Sequence, residues 1–460
     1  MTQIKTVHLE PPSLAGITGL IKSHRFKTPA GYSDAEFAEE RKNLISFLQE
    51  YTGVTFKDKI VMTGHQPVFF HPGLLFKDLI LARAAEESGA TPVHLVVDTD
   101  QVGMEFKIPF KKESWPDIRT YPFHAREHNI FGKTRATERD RELLSEIYDR
   151  IGHSDCFIPE TKKEKCRNIV AGLKDTCTTA KHFQEVPEKM RLDYLAQKHP
   201  GIINIPVSVL VQSPTFKNFV EKIRTGLDDF RDQHNSHLFE YRMLRKIKNQ
   251  AQPVPGLKHN EMPFWVVDEE GNRSHMFRDT PNSDIIPRAI TLTLFLRIFL
   301  ADLFIHGVGG GRYEQIAAKL LHSFFNIPGA PFIVASITMN LDKSGCFPEH
   351  IPDARDLHNL ERKYSHSPEK LSPQLPAAIE KMQLVEMFKN TSGPRRNIHK
   401  QIIALNEKIR DGMPGIKSEI EELKNNMPLY DRLRKIQKAR DLPFIFYNMD
   451  EMENYCKNLR

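Results

Sequence analysis

The sequence has few of the residues that cross-link a chain or anchor it in a membrane. Its five cysteines are an odd number with no Cys-x-x-Cys pair, which argues against a disulfide framework. Its most apolar stretch, residues 289–305, is interrupted by Arg297 and Asp302 and is too short and too charged to span a bilayer. The first residues have no signal-peptide pattern. We therefore expect a cytoplasmic protein without a membrane span.

The chain also lacks a dense block of basic residues with interleaved aromatic residues. Lys and Arg number 65 against 59 Asp and Glu, so the net charge of +6 is a mild excess over 460 residues. This composition does not favour nucleic-acid binding. The length suggests two or three units, each able to bury a core. We expect an enzyme or binding protein with a small-molecule substrate.

The first informative stretch predicts a strand, a loop, a helix and a second strand. Residues 60–62 are an apolar run that breaks at 63–66, and a helix is expected from His71 to about Ser88, with Gly89 as its stop. A second apolar run, 92–97, ends at Asp98 and Asp100. This is a βαβ unit, whose strands should be parallel and whose crossover should be right-handed. Ligands sit at the carboxyl ends of such strands.

A second βαβ unit is predicted between residues 286 and 335. A helix through 292–299 precedes a short strand at 303–306, and a glycine-rich turn at 307–312 leads into a helix ending near Phe325. Residues 331–335 form the next predicted strand. Glycines at such a turn let backbone N–H groups approach an anion, and Arg312 adds donors. A tight turn with close helix packing would explain the same glycines.

The other segments carry weaker patterns. Residues 33–36 form a capping box that starts a helix closed by Gly53, and strands or a hairpin are expected within 103–122. Helices are expected at 137–151 and 160–183, the second with Cys166 and Cys177 on its apolar face. A strand at 202–211, a long helix over 216–230 and a hairpin of 263–268 with 274–278 follow.

The character of the chain changes after residue 344. Apolar residues recur at spacings of three and four between 405 and 427, with Gly412, Pro414 and Gly415 as an interruption. Two readings fit: an antiparallel coiled-coil hairpin, or ordinary helices packed on a core. A last strand is predicted at 442–447. We therefore expect a core over 1–345 with connecting segments inserted at about 103–285, a helical region over 346–440 and a return segment over 441–460.

These patterns resemble the bacillithiol-synthesis cysteine ligases from about residue 58 to 440. The matching segments are Thr63-Gly64-His65-Gln66, Pro72-Gly73-Leu74-Leu75, Val97-Asp98-Thr99-Asp100, Pro287-Arg288-Ala289, Gly309-Gly310-Gly311-Arg312 and residues 325–331. The resemblance implies a Rossmann-like α/β core of the class I nucleotidyltransferase and synthetase group, with a helical coiled-coil domain that makes a homodimer. It also implies a reaction that joins the carboxyl group of cysteine to the amine of glucosaminyl malate.

The chain departs from the family pattern where substrate is expected to bind. His65 replaces the first glutamine of Gln-Gln, Thr99 replaces a member of the acidic cluster, and Gly311-Arg312 stands where the family has Pro-Gly-Glu. A relative with a different acid or amine substrate is therefore as plausible as the cysteine ligase itself.

The candidate site follows from these two units. Thr63, Gly64, Gln66, His71, Gly73, His306, Gly309, Gly310 and Gly311 are predicted to bind substrate or a nucleotide, with ATP or ADP as the candidate cofactor. His65 is a predicted catalytic residue that would neutralise phosphate charge, although packing alone would also explain it. Asp98 or Asp100 would bind an amino group or accept its proton, although either could instead cap a helix. Arg288 and Arg312 are candidates for a carboxylate, and Arg288 could also cap a helix.

No metal site is predicted. His124 and His128 are four residues apart with Glu127 between them, but the sequence offers no third ligand, and solvated loop histidines explain them.

Three functions remain open. The first is an amide-forming ligase. The second is a nucleotidyltransferase, for which an intact His-x-Gly-His at the first turn would be expected, whereas the sequence has His65 and then His71-Pro72-Gly73. The third is a non-catalytic dimeric relative.

Overall fold

The computed structural model describes residues 3–112, 115–124, 129–281, 284–341, 350–390 and 396–460. The chain divides into two compact units. The first comprises Met1–Ile108, Arg119–Asp342 and Arg440–Arg460, and the second comprises Pro109–Ile118 and Lys343–Ala439. Among the helices of the described ranges, none is both long and apolar enough to cross a membrane.

The strands are β1 (Ile4–Glu10), β2 (Ile60–His65), β3 (Thr91–Val96), β4 (Met104–Lys112), β5 (Trp115–Phe123), β6 (Ile203–Pro206), β7 (Glu261–Val267), β8 (Arg273–Phe277), β9 (Ile285–Pro287), β10 (Leu303–His306) and β11 (Phe332–Met339). The helices are α1 (Leu14–Ser23), α2 (Asp34–Thr52), α3 (Pro72–Ser88), α4 (Glu138–Gly152), α5 (Glu160–Thr179), α6 (Glu185–Lys198), α7 (Val207–Leu210), α8 (Pro214–Thr225), α9 (Leu227–Arg245), α10 (Ala289–Phe299), α11 (Val308–Ser323), α12 (Ala354–His366), α13 (Pro376–Asn390), α14 (Arg396–Asp411), α15 (Pro414–Gln437) and α16 (Met449–Lys457).

The central sheet has the strand order of a doubly wound fold. Its order is β1-β11-β10-β2-β3-β6, and all neighbours are parallel except β1 and β11. Read along the chain, the parallel strands follow the 3-2-1-4-5 arrangement, so the order reverses between β2 and β10. The two predicted βαβ units and the Rossmann-like parallel core are confirmed.

Helices cover both faces of this sheet. β2-α3-β3 and β10-α11-β11 progress in opposite directions across the sheet, so the right-handed rule for such crossovers assigns α3 and α11 to opposite faces. α3 packs with α1 and α16, whereas α11 packs with α9 and α10. The main apolar core includes residues of α2, α8, α9, α10 and α11 together with β2 and β3.

Local sequence signals set the ends of the helices that lead to and from β2. Ser33 accepts a hydrogen bond from the Glu36 backbone N–H, and Glu36 bonds back to the Ser33 backbone, which is the predicted capping box of α2. Gly53 and Gly89 end α2 and α3 in the left-handed conformation, with φ of 68° and 71°. Pro72 occupies the first turn of α3 as predicted.

Several segments differ from the sequence prediction. The strand predicted over 202–211 ends at Pro206, and residues 207–210 form α7; β6 is an edge strand, which tolerates the proline. The long helix over 216–230 is two helices separated at Gly226. Residues 444–446 form a 3₁₀ turn before α16, so the predicted last strand is wrong. Helix α6 and strand β1 were not predicted.

The predicted hairpins are present. β7 pairs antiparallel with β8, and β9 adds a third antiparallel strand on the other side of β7. β4 and β5 form a separate two-stranded sheet. The apolar face of α5 is also confirmed, since Cys166, Val170, Leu173 and Cys177 are all buried.

Within the described residues of the second unit, the predicted two-helix hairpin is not confirmed. α14 packs chiefly on α13, and α15 packs on α12, so the two helices on either side of Gly412 have different partners. Ala378, Ile409 and Met413 form a small apolar core there. The heptad-like spacing therefore reflects ordinary amphipathic helices, because each needs only one apolar stripe facing its own neighbour.

A buried charge network lies beside β3 in the first unit. Arg191 on α6 is fully buried, with its Nη2 2.5 Å from the Glu188 carboxylate and its Nη1 3.7 Å from Asp78 Oδ2. Asp78 Oδ1 lies 2.5 Å from His94 Nδ1. Burial would raise the pKa of Asp78, but His94 and Arg191 outweigh that effect and hold the pKa below its usual value. The carboxylate is therefore charged at neutral pH.

Candidate functional site

A cleft of about 960 Å³ opens at the point where the strand order reverses. Its wall contains the carboxyl ends of β2 and β10, the segment after β3 and the first turns of α3 and α11. β7, β8, β9 and the start of α10 also contribute to the lining, together with His234, the 253–257 loop, Ser336, Arg440 and Asp441. Crevices at this position of open α/β sheets are where such folds bind ligands.

Most of the predicted site residues meet in this cleft. The predicted residues that line it are Gly64, His65, Gln66, His71, Gly73, Asp100, Arg288, His306, Gly309, Gly310 and Arg312. Three other predicted residues do not line the cleft and instead make structural contacts next to it. Thr63 is buried and donates its hydroxyl to the Ile305 carbonyl at 2.8 Å, which ties β2 to β10. Gly311 packs against Val334, and Asp98 has the capping role described below.

Gly64 allows β2 and β3 to approach at the edge of the cleft. A Cβ added at position 64 would lie 2.8 Å from the Leu95 carbonyl oxygen and 2.9 Å from Leu95 Cβ. The nearer atom belongs to the backbone of a paired strand, so it cannot move without disturbing the sheet.

Replacing Gly64 by alanine is expected to lower the free energy of unfolding by about 1–3 kcal/mol, because the added methyl overpacks the contact with Leu95. Gly172 in α5 is the matched control, since a Cβ there meets nothing within 4 Å. Gly172→Ala should leave stability unchanged or raise it by up to about 1 kcal/mol. Denaturant unfolding of both variants checks this, and equal midpoints for Gly64→Ala and the wild type would contradict it.

His65 and His71 are held neutral. Desolvation keeps the pKa of His65 well below its usual value, and the nearby Lys77 charge lowers it further. Desolvation and then the charge of Arg440 lower the pKa of His71 to about 4. His65 Nδ1 lies 3.1 Å from the Gln66 carbonyl oxygen, whereas His71 Nδ1 has no hydrogen-bond partner within the described residues. Neutralising a phosphate through His65 would therefore require proton uptake when the anion binds.

Lys77 is a site residue that the sequence analysis missed. It lies on α3, is only 3 % exposed, lines the cleft and donates from Nζ to the Gly64 carbonyl oxygen at 2.7 Å. Burial lowers its pKa to about 8. The available signal was a charged Lys77-Asp78 pair inside an otherwise apolar helical run, which is a position where lysine is rarely tolerated without a partner.

Asp98 and Asp100 have different surroundings. Asp98 is 1 % exposed and accepts hydrogen bonds from the Ser208 backbone N–H at 2.9 Å and from the Ser208 hydroxyl, so it caps the start of α7. Asp100 lines the cleft, with Oδ2 2.8 Å from Gln66 Nε2 and Oδ1 2.8 Å from Arg273 Nη1. Of the two carboxylates, Asp100 is the one placed to meet a ligand.

Arg288 is positioned by the small antiparallel sheet. Its Nη2 lies 2.6 Å from Glu261 Oε1, and its guanidinium carbon is 4.1 Å from the centre of the Trp265 ring. Within the described residues, Arg288 Nε and Nη1 are buried and have no hydrogen-bond partner. Arg288 is also the N-cap residue of α10, but its side chain makes no capping bond. Its guanidinium is thus available to an acceptor in the cleft.

The glycine-rich segment is helical rather than a turn. α11 begins at Val308, so residues 308–311 are its first turn. The N-cap residue is Gly307, which has no side chain to cap the helix. Gly310 and Gly311 permit close packing, because added Cβ atoms would lie 2.7 Å from His306 Nδ1 and 2.5 Å from Val334 Cγ2. Gly309 meets nothing within 4 Å. Backbone N–H groups of this first turn therefore border the cleft.

His306 lies beside a buried ion pair formed by Glu314 and Arg297. It is 8 % exposed, its Nε2 lies 2.9 Å from Glu314 Oε2, and Arg297 Nη1 contacts the other oxygen of Glu314. Glu314 is fully buried. Burial would raise the pKa of Glu314, but His306 and Arg297 outweigh burial and hold it below the usual value.

The lining of the cleft carries an excess of positive charge. Its Lys and Arg side chains are Lys77, Arg273, Arg288, Arg312 and Arg440, and its carboxylates are Asp100 and Asp441. Such a lining favours an anionic ligand, since a concave wall of low polarisability strengthens the field of the charges on it.

His124 has no neighbouring set of metal ligands within the described ranges. There, no group of three or more His, Cys, Asp or Glu residues is arranged to hold a metal ion. His124 Nε2 lies 3.0 Å from Asp140 Oδ2. Glu127 and His128 lie outside the described residues.

Comparison with known proteins does not assign the chain to a family. No protein-family model and no curated protein matches the chain. Among solved structures, the tyrosyl-tRNA synthetase of Archaeoglobus fulgidus, solved with L-tyrosine, is similar over 92 % of this chain and 99 % of its own. The sequence identity is 12 % and the TM-score is 0.27.

Proposed function

We propose that the protein is an amide-forming ligase that binds a nucleotide in the cleft between β2 and β10 and activates a carboxylate there. The observation that carries the proposal is the buried ammonium group of Lys77 in a cationic cleft at the strand-order reversal. An activated acyl group needs cationic and backbone donors around its phosphate, and its attack by an amine needs a base.

The substrates proposed are those of the resembled family: an amino acid such as cysteine as the acid, and a sugar-acid conjugate such as glucosaminyl malate as the amine. Arg288 and Arg312 both line the cleft, which suits a substrate that carries a further carboxylate. Asp100, bridged by Gln66 and Arg273, is the acceptor for an amino group. The homodimer and the cytoplasmic location that the sequence predicts stay predictions.

Nucleotidyl transfer is the second candidate. The observation that favours it is that two neutral histidines, His65 and His71, flank the β2–α3 turn of the same cleft. A neutral imidazole can donate one hydrogen bond to a phosphate without a competing charge. This function would release pyrophosphate without forming an amide.

A binding panel followed by product analysis tests the proposal. We expect ATP and ADP to raise the melting temperature of the protein in a saturable way, and adenosine, which lacks phosphate, to do so far less. With ATP, cysteine and glucosaminyl malate, mass spectrometry should detect the amide, together with amine-dependent release of phosphate or AMP.

Other outcomes decide between the candidates. Pyrophosphate release over many turnovers without any amine, with the nucleotidyl group recovered on another acceptor, would replace the ligase by a nucleotidyltransferase. No response to ATP, ADP or inorganic phosphate at millimolar concentration would overturn the nucleotide site, and with it the proposed activity.

A further inference from the structure

We propose that His306 is the general base that takes a proton from the amine substrate, and that Glu314 and Arg297 are the residues that position it. The inference rests on the proposed ligase function and deepens it by assigning the proton transfer. Three separate elements supply the groups: β10 ends at His306, α11 carries Glu314 and α10 carries Arg297.

The arrangement is a chain of groups running inward from the cleft. His306 lines the cleft, and its Nε2 faces Glu314 Oε2 at 2.9 Å. The approach is off the ideal hydrogen-bond line, and within the described residues neither atom has another partner. Arg297 binds the second oxygen of Glu314 and donates from Nε to the Ala330 carbonyl oxygen at 2.6 Å. Each partner is thus fixed by the next.

The charges of this chain select the tautomer of His306. Glu314 is ionised at neutral pH, because the interactions with His306 and Arg297 outweigh its burial and keep its pKa low. An ionised carboxylate facing Nε2 favours a proton on that nitrogen. The lone pair of the neutral ring is then on Nδ1, which is the arrangement a base requires.

Gly310 leaves the Nδ1 side of the ring open. A Cβ at position 310 would lie 2.7 Å from His306 Nδ1, and Gly310 itself lines the cleft. Any residue other than glycine would therefore crowd the nitrogen that has the lone pair. Gly310 thus keeps His306 Nδ1 accessible from the cleft, in addition to allowing close helix packing.

The chemical step balances as follows. The substrate carboxylate first attacks ATP, either at the γ-phosphorus to give an acyl phosphate with release of ADP, or at the α-phosphorus to give an acyl adenylate with release of pyrophosphate. The amine nitrogen then attacks the acyl carbon, a C–N bond forms, and the C–O bond to the phosphate breaks with its electron pair on the leaving phosphate or AMP. The proton lost by nitrogen passes to His306 Nδ1, and the imidazolium is stabilised by the Glu314 carboxylate.

The positioning can be measured without activity. In protein labelled with ¹⁵N-histidine, the signal of His306, assigned by its loss in His306→Gln, should show the Nε2–H tautomer with Nδ1 unprotonated. Glu314→Gln keeps the volume but removes the charge, so the tautomer preference should weaken. A wild-type His306 protonated on Nδ1 alone would overturn the inference, whatever the activity of the protein.

Kinetics then test the role in the reaction. His306→Gln should lower kcat by about 100-fold or more, and Glu314→Gln should lower kcat while the KM values for amine and ATP stay within about twofold. Gly310→Ala should lower kcat and also lower thermal stability somewhat, because its added Cβ would lie 2.7 Å from the buried His306 ring, whereas Gly172→Ala in α5, the matched helix control, should change neither. Melting temperatures confirm that each variant is folded.

The failures are distinguishable. If the wild-type protein makes the amide and both His306→Gln and Glu314→Gln retain wild-type kcat, the base assignment is overturned and the ligase stands. If the wild-type protein makes no amide from any acid and amine of the resembled class, the ligase itself is overturned.

Discussion

Lys77→Met is expected to weaken binding of ATP or ADP by about 10- to 100-fold, because it removes the buried ammonium group from the cleft. A hydrogen bond to a charged group contributes about 1.5–3 kcal/mol, and each 1.4 kcal/mol is about tenfold in affinity. Nζ has three protons, of which one is donated to the Gly64 carbonyl oxygen. Isothermal titration of the two proteins with ADP measures the difference.

A control variant shows whether the effect of Lys77→Met comes from the position of Lys77 in the cleft or from the change in net charge. Lys57 has an exposed side chain, so Lys57→Met removes the same charge away from the cleft and should leave the dissociation constant within about twofold. Lys77→Met should also melt at the wild-type temperature or above, since it removes a buried charge. If both variants bind ADP as the wild type does, Lys77 is not a ligand of the nucleotide.

The pH dependence of binding follows from the lowered pKa of Lys77. Burial brings that pKa to about 8, so the ammonium form dominates below pH 8 and is lost as the pH rises through that value. The phosphate is already ionised, since its own pKa lies near 6. Affinity for ADP should therefore fall between pH 8 and 9.5 in the wild type and stay nearly level in Lys77→Met. A level profile in both proteins would contradict the assignment.

Arg191→Met is expected to lower the free energy of unfolding by about 3–5 kcal/mol, because it leaves buried carboxylates without their cation. Arg191 is fully buried and lies between Glu188 and Asp78. The loss of stability relative to the wild type should be smaller at pH 5 than at neutral pH, since protonation neutralises the carboxylates left behind. Urea unfolding of both proteins at neutral pH and at pH 5 measures this loss.

Lys189 on the same helix is the matched control. It pairs with Asp193 at 2.5 Å, but both side chains are exposed, at 42 % and 55 %. Exposed pairs contribute about 0–1 kcal/mol, so Lys189→Met should have a small effect. If the two variants lose the same stability, or if the loss in Arg191→Met is independent of pH, the buried network is not what stabilises this part of the fold.

The helices and strands around the site could be predicted where the signals are local. Ser33 with Glu36, Pro72 with Gly89, and the apolar runs of β2 and β10 each act over a few residues, and the structure confirms them. The prediction failed where a short pattern has two outcomes. The glycines at 307–311 suit a turn or a helix start, and the 405–427 spacing suits a coiled coil or a helix packed on one neighbour.

The sequence by itself determined the two βαβ units, and therefore which strand ends carry His65, Gln66, Asp100 and His306. Parallel strands present their carboxyl ends at one edge, so these residues had to approach one another. Only the tertiary structure decided that Asp98 turns to Ser208 while Asp100 faces the cleft. It alone also placed Lys77 beneath Gly64 and Glu314 behind His306. The contact between Asp98 and Ser208 joins residues far apart in the chain, and the other two join a strand end to the helix that follows it. The burial of these groups, which sets their pKa values, depends on packing that no local pattern encodes.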